Sequence, residues 1–170
     1  MPKELIKKAR DGNIQALNEL INNHKDLAFS IALKYLKNKE DAEDVVQNSF
    51  IIVLKSIKNF RNESKFSTWL YTIIFHECMK ELKGRNQTLE YISQFVGNEN
   101  EEVNIEDEND ISSFLKILKP NEYTAITLFY LKEKSIEEVA KITSLSKVNI
   151  KVLLHRARVK LKQAINDKKT

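Results

Sequence analysis

Apolar residues recur at helical spacing over two stretches of this chain, from Leu5 to Gly84 and again from Phe114 to Leu161. Only three glycines and two prolines occur in 170 residues, and these are the residue types that most disfavour a helix. A composition of 42% hydrophobic and 31% charged residues suits amphipathic helices, and a sheet-rich fold fits it poorly. We therefore predict an all-α fold.

Charge divides the chain into three parts. Residues 1–85 carry a net charge of +4 and residues 116–170 a net charge of +8, whereas residues 86–115 carry −8 and no basic side chain. Asn98 to Asp110 is also poor in apolar residues, which is typical of a linker. A basic end beside an acidic middle favours a polyanion-binding module joined to a segment that does not bind the same polyanion.

Two small helical domains follow from this pattern. We predict a first domain at residues 1–86, an acidic linker at 87–113, a second domain at 114–166 and a tail at 167–170. The part of the linker from Leu89 to Val96 is apolar enough to dock or to form a short helix.

Breaks in the apolar pattern predict about four helices in the first domain. They fall near Asp11 to Gly12, Asn38 to Asp41 and Arg61 to Ser64. The third helix is the clearest because one side is apolar and another is polar. Its predicted apolar stripe contains Val46, Phe50, Val53, Leu54 and Ile57. Its predicted polar face carries Asp44, Gln47, Asn48 and Lys55.

Capping residues predict a helix-turn-helix in the second domain. Pro120 suits a first helical turn, and Ser135 with Glu138 forms a capping-box pattern that opens a short helix to about Ile142. A turn over residues 143–145 follows, and Ser146 can cap a long helix that starts at Lys147.

The last helix has the charge that a DNA-binding helix needs. Ile150, Leu154, Ala157 and Leu161 form a packing stripe, and no acidic residue lies between Val139 and Asn166. The residues expected to face base edges are Lys147, Val148, Asn149, Lys151 and Val152. Those expected to reach the DNA backbone are His155, Arg156 and Arg158. The alternative is an ordinary solvated basic helix near a C-terminus.

Several functional classes find no support in the residues. One cysteine, Cys78, excludes an intramolecular disulfide, and the contiguous trio His76, Glu77 and Cys78 cannot supply a four-ligand metal geometry. No glycine-rich nucleotide loop or catalytic triad occurs, and nothing pairs His76 with carboxylates at a catalytic spacing. No run of about 18 apolar residues occurs. We expect no catalytic site, no cofactor, no membrane span and a cytoplasmic location.

Four sequence motifs stand in a defined order: DAEDVVQ from Asp41, FRNESKFSTWLY from Phe60, LKP from Leu118 and LHRAR from Leu154. Their residues, order and spacing resemble bacterial RNA polymerase sigma factors of the extracytoplasmic-function group of the sigma-70 family. The resemblance covers roughly residues 10–86, the sigma region 2 domain, and 114–165, the sigma region 4 domain. It implies a dissociable, non-catalytic polymerase subunit that directs transcription initiation at specific promoters.

The resemblance also implies partners and sites. The partners are core RNA polymerase, through its beta-prime clamp helices and beta flap, and promoter DNA. Polymerase binding is implied for Asp41, Glu43, Asp44, Gln47 and Asn48. Capture of a flipped minus-ten base is implied for the part of the chain that holds Arg61, Asn62, Ser64, Lys65, Phe66, Trp69 and His76. Minus-thirty-five binding is implied for Ser146, Lys147, Asn149, Lys151, His155, Arg156 and Arg158. Trp69 and Tyr71 are either a wedge or core residues, and for Trp69 we favour core.

Departures from the family pattern motivate a further hypothesis. The positions concerned are commonly basic, small or amide in the family, and here they hold Thr72, Phe75, His76, Ser144, Val148 and Leu153. Lost phosphate contacts weaken DNA binding, so a second DNA-bound protein is a candidate recruiting partner. An anti-sigma factor is another candidate, since members of the family are commonly held by one. The alternative from another class is a stand-alone helix-turn-helix regulator, which would not need the DAED motif.

Overall fold

The computed structural model describes residues 2–92 and 114–169, and all its regular structure within these ranges is helical. The predicted all-α fold is thereby confirmed. The chain divides into two compact units, Met1–Glu102 and Val103–Thr170. Among the described helices, none joins the length and the apolarity that a membrane crossing requires.

The first unit contains five described helices. These are α1 (Pro2–Arg10), α2 (Ile14–Asn22), α3 (Lys25–Leu36), α4 (Lys39–Ser56) and α5 (Phe66–Ile92). A 3-10 turn, Ile57–Asn59, extends α4. The prediction of about four helices was wrong by one because α2 and α3 are separate. Their junction at Asn23 and His24 has no glycine or proline, and the apolar spacing runs through it without a break.

Three helices form the centre of the first unit. α3, α4 and α5 pack against one another, and α1 packs on α2 and on the 3-10 turn. Side chains with no exposed surface fill the centre, and two small ones, Ala28 and Ala42, lie on α3 and α4. Small residues allow helices to approach closely, so α4 has a firmly held inner face and an outer face that points to solvent.

The predicted apolar stripe of α4 is only partly correct. Val46, Val53 and Ile57 are buried, but Leu54 has 54% of its surface exposed. Ser49, which the prediction left out, is fully buried and donates its hydroxyl to the Val45 carbonyl at 2.7 Å. A hydroxyl that is satisfied within its own helix can be buried at little cost, so residue type alone misplaces the edge of the stripe.

The second unit is built around one long helix. Its described helices are α6 (Pro120–Ile126), which a π-helical turn continues over Thr127–Leu131, α7 (Ile136–Thr143) and α8 (Lys147–Lys169). Both α6 and α7 pack on α8, and Ile150, Leu154 and Ala157 of the predicted stripe are buried there. Leu161, the fourth member of that stripe, is only partly covered.

The helix-turn-helix is present as predicted. Ser135 accepts a hydrogen bond from the Glu138 amide at 3.1 Å, and the Glu138 carboxylate accepts one from the Ser135 amide at 2.9 Å. Ser146 accepts a hydrogen bond from the Asn149 amide at 3.2 Å, which caps α8. Ser144 lies in the turn with φ of 56°, a left-handed conformation that glycine adopts at lower cost.

The predicted boundaries differ from the helix ends. α5 continues to Ile92, six residues past the predicted end of the first domain, and α8 continues to Lys169, past the predicted end of the second. The predicted linker therefore begins inside a helix. The rest of it, residues 93–113, lies outside the described residues.

Candidate functional site

The outer face of α4 carries the exposed residues of the DAED motif. Glu43, Asp44, Gln47 and Asn48 are all exposed there. The helix begins with the Asn38 carboxamide oxygen, which accepts a hydrogen bond from the Asp41 amide at 3.0 Å. Glu43 lies 3.9 Å from the Lys39 ammonium, an exposed pair one helical turn apart that contributes little. The face offers carboxylate and amide groups to a basic partner.

Asp41, at the edge of this surface, is only partly exposed, and its contact with the polymerase stays a prediction. Its carboxylate accepts a hydrogen bond from Arg85 of α5, and the side chain is only 39% exposed. The same guanidinium donates to the Leu36 carbonyl at 3.0 Å and lies 3.4 Å from Glu81. Arg85 thus joins the end of α3, the start of α4 and the side of α5. The structure gives Asp41 a part in holding the unit together, which the motif alone did not indicate.

Two apolar side chains extend the outer face of α4. Ile51 and Leu54 are 47% and 54% exposed and follow Asp44 and Gln47 along the same side of the helix. Sequence reasoning missed Ile51 and assigned Leu54 to the core. The outer face of α4, defined here as Glu43, Asp44, Gln47, Asn48, Ile51 and Leu54, is therefore polar at its start and has two apolar side chains at its end, beside exposed Lys55.

The loop before α5 borders a cleft. Arg61, Asn62 and Lys65 are exposed and Ser64 is partly exposed, and Asn62 has a left-handed φ of 57°. The cleft has a volume of about 740 Å³. It is lined by Lys3, Ile6, Leu20, His24, Asn62, Ser64, Lys65, Phe66 and Ser67. Sequence reasoning found the loop residues of this group but not Lys3 or His24, which come from α1 and from the α2–α3 junction.

An aromatic cluster lies beneath the loop. Phe66 is 4% exposed and packs against Phe60, with ring centroids 6.0 Å apart. Little of the Phe66 ring is open to a ligand beyond the part that lines the cleft, and contact between Phe66 and DNA stays a prediction. Trp69 is half-buried, with its centroid 5.0 Å from that of Phe60.

Tyr71 is a core residue. It is 1% exposed, and its hydroxyl lies 3.0 Å from Nδ1 of His24. Burial raises the pKa of the Tyr71 hydroxyl well above its ordinary value. The hydrogen bond connects α5 to the His24 wall of the cleft.

The outer face of α5 joins Trp69 to basic residues. Trp69 and His76 are two helical turns apart on one side of the helix, and Lys80 and Lys83 continue that side. Of these four, Trp69 is partly buried and the other three are exposed. The face presents an aromatic surface beside the loop and positive charge farther along.

Three of the seven predicted minus-thirty-five residues are engaged within the second unit. The Ser146 hydroxyl caps α8, as described above. The Lys147 ammonium lies 2.9 Å from the Glu137 carboxylate, and hydrogen bonding to it lowers the pKa of Glu137. Arg158 Nε donates to the Tyr130 hydroxyl at 2.8 Å, and its guanidinium lies 5.6 Å from the centre of that ring.

The other four, Asn149, Lys151, His155 and Arg156, are exposed on α8. Val148 stands among them with 69% of its surface exposed. Sequence reasoning placed these residues correctly on the open side of the helix because a capped helix with a known packing stripe fixes the direction of the remaining side chains.

An ion pair between a partly exposed lysine and a buried carboxylate joins α8 to α6. Lys160 Nζ donates to both carboxylate oxygens of Glu122, at 2.9 and 2.7 Å, and the Lys119 amide also donates to this carboxylate. Burial would raise the pKa of Glu122, but these hydrogen bonds and the nearby positive charges outweigh it, so the pKa is lowered. Lys160 is therefore a structural group, although it belongs to the basic run of the sequence.

Cys78 is buried, and burial raises the pKa of its thiol to about 12, so the reactive thiolate is disfavoured. Within residues 2–92 and 114–169, no group of three or more His, Cys, Asp or Glu side chains is arranged to hold a metal ion.

Two family models match the chain in order. "Sigma-70 region 2" matches residues 20–88, and "Sigma-70, region 4" matches residues 109–161. The first therefore includes the outer face of α4 and the loop before α5, and the second includes the helix-turn-helix.

Among curated proteins, the ECF RNA polymerase sigma factor SigW of Bacillus subtilis is 30% identical over 98% of this chain and 98% of its own length. The ECF RNA polymerase sigma-E factor of Haemophilus influenzae is also 30% identical, over 95% of this chain and 93% of its own length.

Among solved structures, a chain in the co-crystal structure of the sigma factor RpoE with the anti-sigma factor NepR from Bartonella quintana matches with a TM-score of 0.70. The match has 20% identity and covers 90% of this chain and 98% of that one. At that identity the likeness concerns the fold.

Proposed function

We propose a division of roles between the two domains of this chain, which belongs to the extracytoplasmic-function group of RNA polymerase sigma factors. Each domain carries out a separate part of transcription initiation. The first binds the core enzyme through the outer face of α4 and holds the minus-ten element at the loop before α5. The second binds the minus-thirty-five element through α8. The nucleotide chemistry then belongs to the polymerase, and the protein works in the cytoplasm.

The observation that carries the polymerase part is the composition of the outer face of α4. Glu43, Asp44, Gln47 and Asn48 are exposed acceptors that suit the basic side chains of a partner helix. Ile51 and Leu54 add exposed apolar area at the other end of the same face. Apolar anchors beside charged groups are typical of the energetic centre of a protein interface. The beta-prime clamp helices are the partner that the family implies.

The test of this interface separates binding from folding. Asp44→Lys together with Leu54→Glu alters two exposed positions, so folding is preserved while binding of the full chain to core polymerase falls by at least about tenfold. The control for the Asp44→Lys part is Glu19→Lys, which makes the same acid-to-lysine change at an exposed position of α2. Binding is measured by surface plasmon resonance and folding by circular dichroism. Unchanged polymerase affinity in the double variant would refute this interface.

The minus-ten role is supported by the cleft and by the outer face of α5. Asn62, Ser64 and Lys65 supply amide, hydroxyl and ammonium groups at the rim of the cleft, which is the chemistry that holds an extruded base and its phosphate. Trp69 and His76 offer stacking surface to the adjoining single strand, and Lys80 and Lys83 offer charge for its backbone. Arg61 lies exposed at the start of the loop.

Dependence on a recruiting partner is supported by the engagement of α8. The cations Lys147 and Arg158 already contact Glu137 and Tyr130 inside the domain, so each has a competing partner when phosphate approaches. We expect weak initiation in a transcription assay that contains only core polymerase, this protein and a promoter. Strong initiation from a defined minus-thirty-five and minus-ten promoter in that assay would remove the need for a recruiting protein.

A second surface of this domain, beside the C-terminal half of α8, is suited to binding a protein. An apolar groove of about 450 Å³ runs between the π turn and the C-terminal half of α8, and exposed Tyr130, Leu131 and Ile165 contribute to it. The beta flap is the occupant that the family implies, and an anti-sigma factor is its natural competitor. Leu131→Asp should weaken polymerase binding without loss of helix content.

A stand-alone helix-turn-helix regulator is the alternative function. That alternative does not explain why the first unit matches the region 2 family model.

A further inference from the structure

α8 presents valines at the centre of its exposed face. Val148, Val152 and Val159 are 69%, 40% and 43% exposed. At 100° per residue they fall within a narrow sector opposite the buried stripe of Ile150 and Leu154. These valines are therefore the residues that point straight away from the domain, whereas the charged residues of α8 lie to either side of them.

The flanks of the valine row are basic. Lys151 and Lys162 lie on one side of it and Arg156 on the other, all exposed, and no acidic residue occurs on α8 before Asp167. An apolar protein partner would pack against the valines but would offer these cations no negative charge. A groove with phosphates along both rims and an apolar group on its floor would satisfy the cations and the valines together.

We infer that Val148 and Val152 read the methyl groups of thymines in the major groove of the minus-thirty-five element. The inference rests on the proposed role of α8 in DNA binding. A valine side chain cannot make hydrogen bonds, and the C5-methyl of thymine is the apolar group that the four bases display in the major groove. Against any other base edge, the valine would cover a donor or acceptor that then lacks a partner, which is costly.

The position of the two valines fits this role. They lie in the first two turns of α8, the part of a recognition helix that contacts base edges. One helical turn separates them, about 6 Å along the axis, which corresponds to roughly two base steps at 3.4 Å each. The thymines should therefore be neighbours or next neighbours. Val159 lies about 10 Å farther along the helix and serves as a matched control.

The experiment uses the full chain assembled with core polymerase. Duplexes that the complex binds are enriched from a random pool, and thymine is expected at one or two fixed positions of the minus-thirty-five element. Each such thymine is then replaced by deoxyuracil, which removes only the methyl group. Affinity for the wild-type complex should fall by roughly fourfold per methyl, the effect of withdrawing one such group from water.

Variants identify which side chain meets the methyl. Val152→Ala or Val148→Ala should weaken binding to thymine DNA by a similar factor and make the complex insensitive to deoxyuracil at one position. Val159→Ala should keep the full sensitivity. All three positions are exposed, so thermal unfolding should be unchanged in each variant.

Three results would overturn the inference, in distinguishable ways. Selective binding with equal affinity for thymine and deoxyuracil DNA, or a selected element without thymine, refutes methyl reading and leaves DNA binding by α8 intact. Loss of a protein partner from Val152→Ala, with no response to deoxyuracil, would assign the valine row to that partner. A polymerase complex that selects no duplex at all would refute selection of the minus-thirty-five element by α8 and with it the inference, while polymerase binding by the outer face of α4 would remain a separate result.

Discussion

α4 in the first unit and α8 in the second share one arrangement but carry opposite charge. Acidic residues cluster near the start of α4 and basic residues occur along α8, and in each helix one charged side chain forms an ion pair within its own unit. Asp41 of α4 is held by Arg85, and Lys160 of α8 is held by Glu122. In each helix, large apolar side chains face solvent instead: Leu54 on α4 and Val148 on α8.

This comparison teaches that a charged motif contains two kinds of residue. Some members make contacts within the domain and others are exposed, and the sequence spacing of the motif does not separate them. Exposed apolar residues help to identify the surface that faces a partner, since a monomer gains no stability from keeping them in water.

Lys160→Met should destabilise the second unit by about 3 kcal/mol, because it leaves the carboxylate of Glu122 buried without its cation. Lys162→Met, two residues later on the exposed side, should change stability by less than about 0.5 kcal/mol. Hydrogen exchange of peptides from residues 120–169 measures both. Equal protection in the two variants would mean that the Lys160 pair does not hold α6 to α8.

Neighbouring residues of α4 should differ strongly. Val53→Ala should cost about 2 kcal/mol because Val53 is fully buried. Leu54→Ala should cost less than about 0.5 kcal/mol because Leu54 is exposed, yet it should weaken polymerase binding. Urea unfolding followed by the fluorescence of Trp69, the one tryptophan in the chain, reports on this unit. A large loss of stability in Leu54→Ala would mean that Leu54 is a core residue.

Arg85→Met should cost about 1.5 kcal/mol, since charged hydrogen bonds to Asp41 and to the Leu36 carbonyl are lost at a partly exposed site. Lys83→Met on the same helix is exposed and should be close to neutral. The Trp69 fluorescence assay applies again. If Asp41 instead serves the polymerase, Asp41→Asn would lower polymerase affinity while stability stays the same.

The Glu122 pair should also make stability depend on pH. The pKa of Glu122 is lowered below its ordinary value of 4.5 in the folded state, so its contribution is fully present above that value and is lost as the pH falls through the lowered pKa. Wild type should be more stable than Glu122→Gln at pH 7. The difference should shrink at pH 3, as urea unfolding followed by circular dichroism would reveal. A stability difference between the two proteins that grows on acidification would contradict the lowered pKa of Glu122.

Much of the fold could be predicted from local signals. The helix-turn-helix followed from the Ser135 capping box and the Ser146 cap, because caps act on backbone groups within three residues. The α2–α3 break could not be predicted, because His24 and Asn23 interrupt the helix without glycine, proline or a change in apolar spacing. Leu54 was misplaced because helical spacing fixes a side chain's angle but not where the neighbouring helix ends.

The sequence by itself determined the helical class, the capped helices, the order of the family motifs and the basic character of α8. These depend on residue type and short spacing. Only the tertiary structure decided which charges remain available: Arg85 reaches Asp41 across 44 positions and Lys160 reaches Glu122 across 38. Such pairs form because folding brings distant side chains within hydrogen-bonding distance and out of water, and no local pattern records that.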